Sequence, residues 1–190
     1  MSQFKKNLQE HQALFANLNE LEPRIQEASR LIVEAFSSGH KLMICGNGGS
    51  AADSQHIAAE MTGRFIKDRK PLPAIALSTD TSALTCIGND YSFDEIFARQ
   101  IQALGQSGDI LLAISTSGNS KNVIRSIEEA KKLGVQVIAL TGRDGGKMKA
   151  MADISVVVPS EITARIQEAH IFIGHTLCGD VEIQLGLVEQ

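Results

Sequence analysis

Five short aliphatic runs, separated by longer helical patterns, constrain the fold of this chain most strongly. The runs predict strands at residues 42–45, 74–77, 110–115, 135–140 and 154–158. Helical patterns occupy roughly residues 50–65, 81–87, 93–104, 119–133 and 163–188. Parallel neighbours need crossover connections, so alternating strands and helices predict a parallel sheet. Right-handed crossovers then favour an α/β fold, a three-layer αβα sandwich whose ligands bind at the carboxyl ends of five strands.

Helical patterns also open the chain. Apolar spacing predicts two helices within residues 1–39, with Pro23 in the first turn of the second and Gly39 just beyond its end. A length of 190 residues without a repeat or linker suits a single domain that includes these helices. The first and last helices carry more apolar positions than one sheet needs, which favours a homo-oligomer with helical contacts.

Composition excludes several classes of partner. The net charge is -4, and no run of five Lys or Arg residues marks a nucleic-acid or anionic-lipid site. The three cysteines are isolated, which indicates reduced thiols rather than a disulfide framework or a thiolate zinc site. The first fifteen residues are polar and the aliphatic runs are too short to span a membrane, so we expect a cytoplasmic protein.

The first predicted strand leads into a glycine-rich turn and then a helix. Residues 45–50 of this turn read Cys-Gly-Asn-Gly-Gly-Ser. Glycines permit close backbone approach, and the free N–H groups and dipole at a helix start favour an anion. A tight turn that binds no ligand is the plainer interpretation of this loop alone.

A dinucleotide-binding fingerprint is a sharper alternative, because Gly46, Gly48 and Ala51 fit the pattern G-x-G-x-x-A. That fingerprint needs an acidic residue at the end of the second strand. Asp68 precedes this strand and Asp80 comes rather late, so the sequence argues against a dinucleotide.

A second loop follows the third strand and offers four hydroxyl groups. Residues 115–120 read Ser-Thr-Ser-Gly-Asn-Ser, and another helix begins there. Hydroxyls that merely cap this helix are the plainer interpretation. Two such loops at one edge of a sheet favour binding, and hydroxyls together with N–H groups suit a compact phosphate monoester.

With both loops, four further stretches resemble the sugar isomerase (SIS) domain superfamily, and within it the phosphoheptose (sedoheptulose 7-phosphate) isomerase family. They read Glu-Met-Thr-Gly-Arg-Phe at 60–65, Gly-Asn-Asp at 88–90, Leu-Thr-Gly-Arg-Asp-Gly-Gly-Lys at 140–147 and Arg-Ile-Gln-Glu at 165–168. The resemblance covers nearly the whole chain. It implies a flavodoxin- or Rossmann-like sandwich and a homotetramer with sites between subunits.

The resemblance also implies an activity and its residues. The reaction converts sedoheptulose 7-phosphate to D-glycero-D-manno-heptose 7-phosphate, the first step toward lipopolysaccharide heptose. Catalysis is assigned to Glu60 and His175, and one zinc ion per subunit to His56, Glu60, Gln167 and His175. The residues implied to bind the phosphorylated heptose are Asn47, Gly48, Gly49, Ser50, Glu60, Asn89, Asp90, Ser115, Thr116, Ser117, Ser120 and Gln167.

Helical spacing gives part of this site independently. His56 and Glu60, four residues apart, share one face of the helix that leaves the first loop, in a polar stripe with Asp53 and Arg64. A solvated or ion-paired face is the plainer interpretation. A rise of 1.5 Å per residue nevertheless puts His56 and Glu60 roughly 9 to 15 Å from Ser50, which is the length of a sugar.

Gln167 and His175 pose a geometric problem, because on one continuous helix they lie about 12 Å apart along the axis and roughly 80° around it. One ion would hardly reach both. Either the helix begins after Gln167, or the two groups come from different subunits. The second alternative predicts that mixed Glu60→Gln and His175→Gln chains regain activity.

For a ketose–aldose interconversion, Glu60 is the candidate that moves the carbon-bound proton, and His175 the candidate for the oxygen-bound protons. A non-catalytic SIS protein, a tetrameric assembly factor for the bacterial replication initiator, is the main alternative function. Its pattern lacks the carboxylate and the histidine that are Glu60 and His175 here. A domain that senses a phosphosugar or binds a nicotinamide cofactor, without isomerase activity, is the third possible function.

Overall fold

The structure, a computed structural model, describes residues 1–189. The strands are β1 Leu42–Cys45, β2 Ala74–Ala76, β3 Ile110–Ser115, β4 Gln136–Gly142 and β5 Ile154–Val158. The helices are α1 Gln3–Phe15, α2 Glu22–Ser37, α3 Gly49–Thr62, α4 Thr81–Asp90, α5 Ala98–Leu104, α6 Lys121–Lys132, α7 Met148–Met151 and α8 Thr163–Gln184. Within residues 1–189, no helix combines the length and apolar character that crossing a bilayer requires.

All five strands are parallel and form one sheet in the order β2-β1-β3-β4-β5. Successive side chains of a strand point to opposite faces, so β1 supplies Leu42 and Ile44 to one core and Met43 and Cys45 to the other. The first core includes apolar residues of α2, α3 and α8, and the second those of α5 and α6. The predicted αβα sandwich with five parallel strands is confirmed.

The strand order places a crevice between β1 and β3. The chain crosses from β1 to β2 on one side, and from β3 to β4 on the other. Cys45 pairs with Ala113, so the loops that follow these two strands begin side by side. Ligands of open parallel sheets bind at such a reversal of strand order, which is where both glycine- and serine-rich loops lie.

Several helix boundaries differ from the sequence prediction. The stretch predicted as one helix over 93–104 is a 3-10 turn, Phe93–Glu95, followed by α5. The last helix ends at Gln184 rather than near residue 188, because Gly186 adopts a φ of 68° and its N–H closes the helix end on Ile183.

The start of α8 settles one of the open alternatives. The helix begins at Thr163, so the suggestion that it begins after Gln167 is wrong. Gln167 and His175 lie on one continuous helix, and the separation of about 12 Å along its axis stands.

His170 makes the stability of the fold depend on pH. The ring is fully buried on α8, with Nε2 3.0 Å from the carbonyl oxygen of Thr141 in β4. Burial lowers the pKa of His170 from 6.5 to about 4, against the opposing effect of the Thr141 hydrogen bond. His170 of the unfolded chain therefore binds a proton as the pH falls below ~6.5, whereas His170 of the folded chain binds one only near pH 4.

We expect this stability to be complete above the unfolded pKa and to be lost as the pH falls toward 4, by about 3 kcal/mol in total. Urea unfolding at several pH values measures it. A His170→Gln chain is the control. The slope of its unfolding free energy against pH should be smaller, by the equivalent of up to one bound proton. Parallel pH curves for the two chains would contradict the prediction.

Candidate active site

The loop between β1 and α3 is shaped by glycines. Gly48 has a φ of 57°, a conformation that L side chains rarely adopt. A Cβ on Gly46 would lie 2.7 Å from Cβ of Ser50 and 3.0 Å from the carbonyl oxygen of Ile114. The backbone of this loop can therefore approach both its own helix and β3. The N–H groups of Ser50, Ala51 and Ala52 already donate to carbonyl oxygens of the loop, so the dipole at the start of α3 is its contribution to anion binding.

The loop between β3 and α6 gathers its hydroxyls at the same edge of the sheet. The hydroxyl oxygens of Ser115 and Ser120 are 2.9 Å apart. The Ser117 hydroxyl accepts a hydrogen bond from the backbone N–H of Asn119 at 3.1 Å, while Thr116 is partly exposed in the turn. These groups suit the oxygens of a phosphate ester.

Paired amides join the two loops. The side-chain NH2 of Asn47 donates to Oδ1 of Asn122, and the side-chain NH2 of Asn122 donates to Oδ1 of Asn47, both at 2.8 Å. Gln167 of α8 closes the other side, because a Cβ on Gly49 would meet its amide nitrogen at 2.5 Å. The two loops and Gln167 therefore form one surface, which we call the anion cradle.

His56, Glu60 and His175 meet beyond the cradle, on neighbouring faces of α3 and α8. One oxygen of the Glu60 carboxylate, Oε1, lies 3.0 Å from Nε2 of His56 and 3.4 Å from Nε2 of His175. The two imidazole rings are 5.1 Å apart, and the Phe65 ring stacks on His175. Long-range packing of α8 on α3 thus adds His175 to the pair that helical spacing predicts.

Two carboxylate oxygens at this site lack partners. Within residues 1–189, Oε2 of Glu60 and Oδ2 of Asp53 are buried and accept no hydrogen bond. Burial raises the pKa of Asp53, and the nearby His56 and His175 partly oppose this shift. A buried polar atom without a partner is costly, so these oxygens mark a place for a group that the chain itself does not supply.

The donor set fits zinc. Ligand atoms of His56, Glu60 and His175 all lie within 4.8 Å of one another. Two imidazoles and a carboxylate are a zinc ligand set, and a three-ligand site leaves a position open for substrate. Oε1 of Glu60 faces both imidazoles, so it is the carboxylate oxygen placed to share a cation with them.

Other predicted site residues lie apart from this group. Gln167 contacts Gly49 in the cradle, so its assignment as a fourth zinc ligand stays a prediction. Asn89 and Asp90 end α4 and are exposed, and in residues 1–189 their recorded side-chain hydrogen bonds are to each other and to Cys86. Arg64 is exposed just beyond α3.

Asn122 and Phe65 are site residues that the sequence did not predict. Asn122 is buried among the apolar residues of α6, and a buried polar residue at a helix start was the available signal. No signal in the sequence pointed to Phe65, because its contact with His175 depends on how α8 packs against α3.

Comparison with known proteins identifies the family. The SIS domain profile matches residues 6–142. A phosphoheptose isomerase from Nitratiruptor sp. is 56% identical over 183 residues, which cover 96% of this chain and 98% of the relative. This chain belongs to the phosphoheptose isomerase family of SIS-domain proteins.

Other members agree in sequence and in fold. A phosphoheptose isomerase from Campylobacter concisus is 55% identical over 94% of either chain. The solved phosphoheptose isomerase of Neisseria gonorrhoeae is 49% identical over 95% of either chain, with a TM-score of 0.85. That of Francisella tularensis is 39% identical, covers 96% of this chain and 100% of its own, and has a TM-score of 0.89. The family predicted from the motifs is confirmed.

Proposed function

We propose that this chain is an aldose–ketose isomerase that interconverts sedoheptulose 7-phosphate and D-glycero-D-manno-heptose 7-phosphate, the first step of lipopolysaccharide heptose synthesis. The observation that carries this proposal is the 3.4 Å approach of Glu60 to His175 beside the anion cradle. Relatives more than 50% identical over nearly their whole length bear the name of this enzyme.

The anion cradle binds the phosphate of the substrate. The dipole at the start of α3 favours its negative charge, and the hydroxyls of Ser115, Thr116, Ser117 and Ser120 supply hydrogen bonds. Asn47 holds the two loops in register through Asn122, and Gln167 adds an amide. The sugar chain then extends along α3 for roughly 9 to 15 Å to reach Glu60.

At the reactive end, Glu60 takes the proton from C1 and returns it to C2, which gives an enediol between the two steps. Its Oε2 atom is free of hydrogen bonds and available as the base. His175 moves the proton between the oxygens on C1 and C2, and the stacked Phe65 ring holds its imidazole in place.

A zinc ion held by His56, Glu60 and His175 would polarise the substrate carbonyl and stabilise negative charge on its oxygen. Asp53, half-buried near His56 and His175, would add to the negative charge that attracts this cation. Gln167 serves the cradle of its own chain, where its amide lies against Gly49. It lies about 12 Å from His175 along α8, so a role as zinc ligand would need Gln167 from another copy.

Several features of the resemblance belong to the same proposal. A homotetramer that brings Asn89 and Asp90 of one copy to the site of another agrees with the exposure of these two residues. A single domain agrees with one sheet covered on both faces. A cytoplasmic location agrees with three free cysteines. The alternative of a non-catalytic assembly factor finds no support, because Glu60 and His175 are present and in contact.

Incubation with sedoheptulose 7-phosphate tests the function. We expect the aldose product, detected by chromatography, and a loss of turnover after chelation that added Zn²⁺ restores. Fructose 6-phosphate is the control for substrate length, and it should turn over poorly. Binding of sedoheptulose 7-phosphate without any product would favour the sensing domain and contradict the proposal.

A further inference from the structure

A buried ion pair lies behind the catalytic group, and the mechanism above makes no use of it. Nε of Arg69 is 2.7 Å from Oε1 of Glu182, and the two side chains are 1% and 0% exposed. Charges buried this deeply are costly unless they are paired and fully hydrogen-bonded. Their partners therefore show what the pair holds together.

Arg69 binds the end of α3. Its Nη2 donates to the carbonyl oxygen of Glu60 at 2.7 Å, and its Nη1 donates to those of Met61 at 2.7 Å and Gly63 at 3.0 Å. Carbonyls in the last turn of a helix have no intrahelical donors, and a cation there also opposes the helix dipole. Arg69 thus fixes the backbone that carries the catalytic carboxylate.

Glu182 binds the segment that follows. Its two carboxylate oxygens accept hydrogen bonds from the backbone N–H groups of Phe65 and Ile66, both at 2.9 Å. The Phe65 ring stacks on His175, with centroids 5.6 Å apart and an interplanar angle of 19°. Glu182 itself lies on α8 about two turns beyond His175. It therefore fixes the ring that orients the catalytic histidine.

We propose that Arg69 and Glu182 are positioning residues of the isomerase, which set the placement of Glu60 and of His175 without touching substrate. This inference rests on the proposed function. A displacement of about 1 Å in a catalytic group can cost roughly 10²-fold in rate, so the pair acts on kcat. The anion cradle lies at the other end of α3, so the affinity for the phosphate group should not change.

Glu182→Gln is the test, because it keeps the size of the side chain and removes its charge. Asp109→Asn is a matched control. Asp109 is 1% exposed, pairs with Lys41, and accepts from two backbone N–H groups, those of Lys41 and Gln106. It lies at the amino ends of β1 and β3, the edge of the sheet opposite the site.

Both variants should unfold at lower urea concentration than the wild type. Only Glu182→Gln should lower kcat, by about 10- to 100-fold per folded enzyme, with KM within about twofold of wild type. Equal kcat values in the two variants, or a change in KM alone, would overturn the inference and leave a purely structural ion pair. An inactive wild type would instead overturn the proposed function and the inference with it.

A second variant covers the case in which Glu182→Gln does not fold. Arg69→Lys retains the charge next to Glu182 but cannot reach the carbonyl oxygens of Glu60, Met61 and Gly63 together. It should likewise lower kcat at unchanged KM. An Arg69→Lys enzyme with wild-type kcat would overturn the inference.

Discussion

Replacement of Glu60 by Gln is expected to lower kcat by about 10³-fold or more. A general base contributes roughly 10²- to 10⁴-fold to the rate, and this variant also loses a zinc ligand. Glutamine keeps the shape of the side chain but cannot accept the proton from C1. The cradle is untouched, so the dissociation constant of the phosphosugar should stay within a few-fold of wild type. Calorimetric titration measures binding, and a discontinuous assay of product measures kcat.

Glu34→Gln is the matched control for this substitution. Glu34 is exposed on α2, away from both loops, and undergoes the same chemical change. Its kcat should equal that of the wild type. Wild-type turnover in Glu60→Gln would remove Glu60 from the mechanism, and loss of binding in that variant would place it in the recognition of substrate instead.

The fold could be predicted from the sequence because its signals are local. A four-residue aliphatic run such as Leu42–Cys45 is long enough for a strand and too short for a helix, and the glycine turn at 46–49 fixes its end. Helix ends were less accurate. The prediction carried α3 on to Phe65, whereas it ends at Thr62, because Arg69 supplies hydrogen bonds to its last carbonyls from beyond the helix. Helical periodicity does not reveal such a contact.

The site could be predicted only in part, for the same reason. His56 and Glu60 lie on one helix four residues apart, and the contact that this spacing predicts is present at 3.0 Å. His175 is distant in the sequence, and its neighbours on α8 are mostly apolar, so its place beside Glu60 came from the family resemblance. Periodicity alone could not distinguish His175 from His170, which is a buried residue of the core.

Equal mixtures of Glu60→Gln and His175→Gln chains are expected to stay inactive. The sequence led to the opposite expectation, because the separation of Gln167 from His175 favoured a site shared by subunits. In the structure, Glu60 and His175 of the same chain are 3.4 Å apart, so each variant chain destroys the catalytic pair of its own site. Co-expression with two affinity tags, followed by tandem purification, yields the mixed oligomers for the assay.

Chains with both Asn89→Ala and Asp90→Ala should behave differently when they are mixed with Glu60→Gln chains. Asn89 and Asp90 are exposed at the end of α4, and we expect their implied contact with substrate hydroxyls to be made at the site of another copy. An equal mixture should regain about a quarter of wild-type activity, because half of random pairs are mixed and each of these holds one intact site of two. Activity in the first mixture would mean that Glu60 and His175 act across subunits. If the second mixture recovers no activity, Asn89 and Asp90 belong to the site of their own chain. The two mixtures together thus show which subunit supplies each of the four residues.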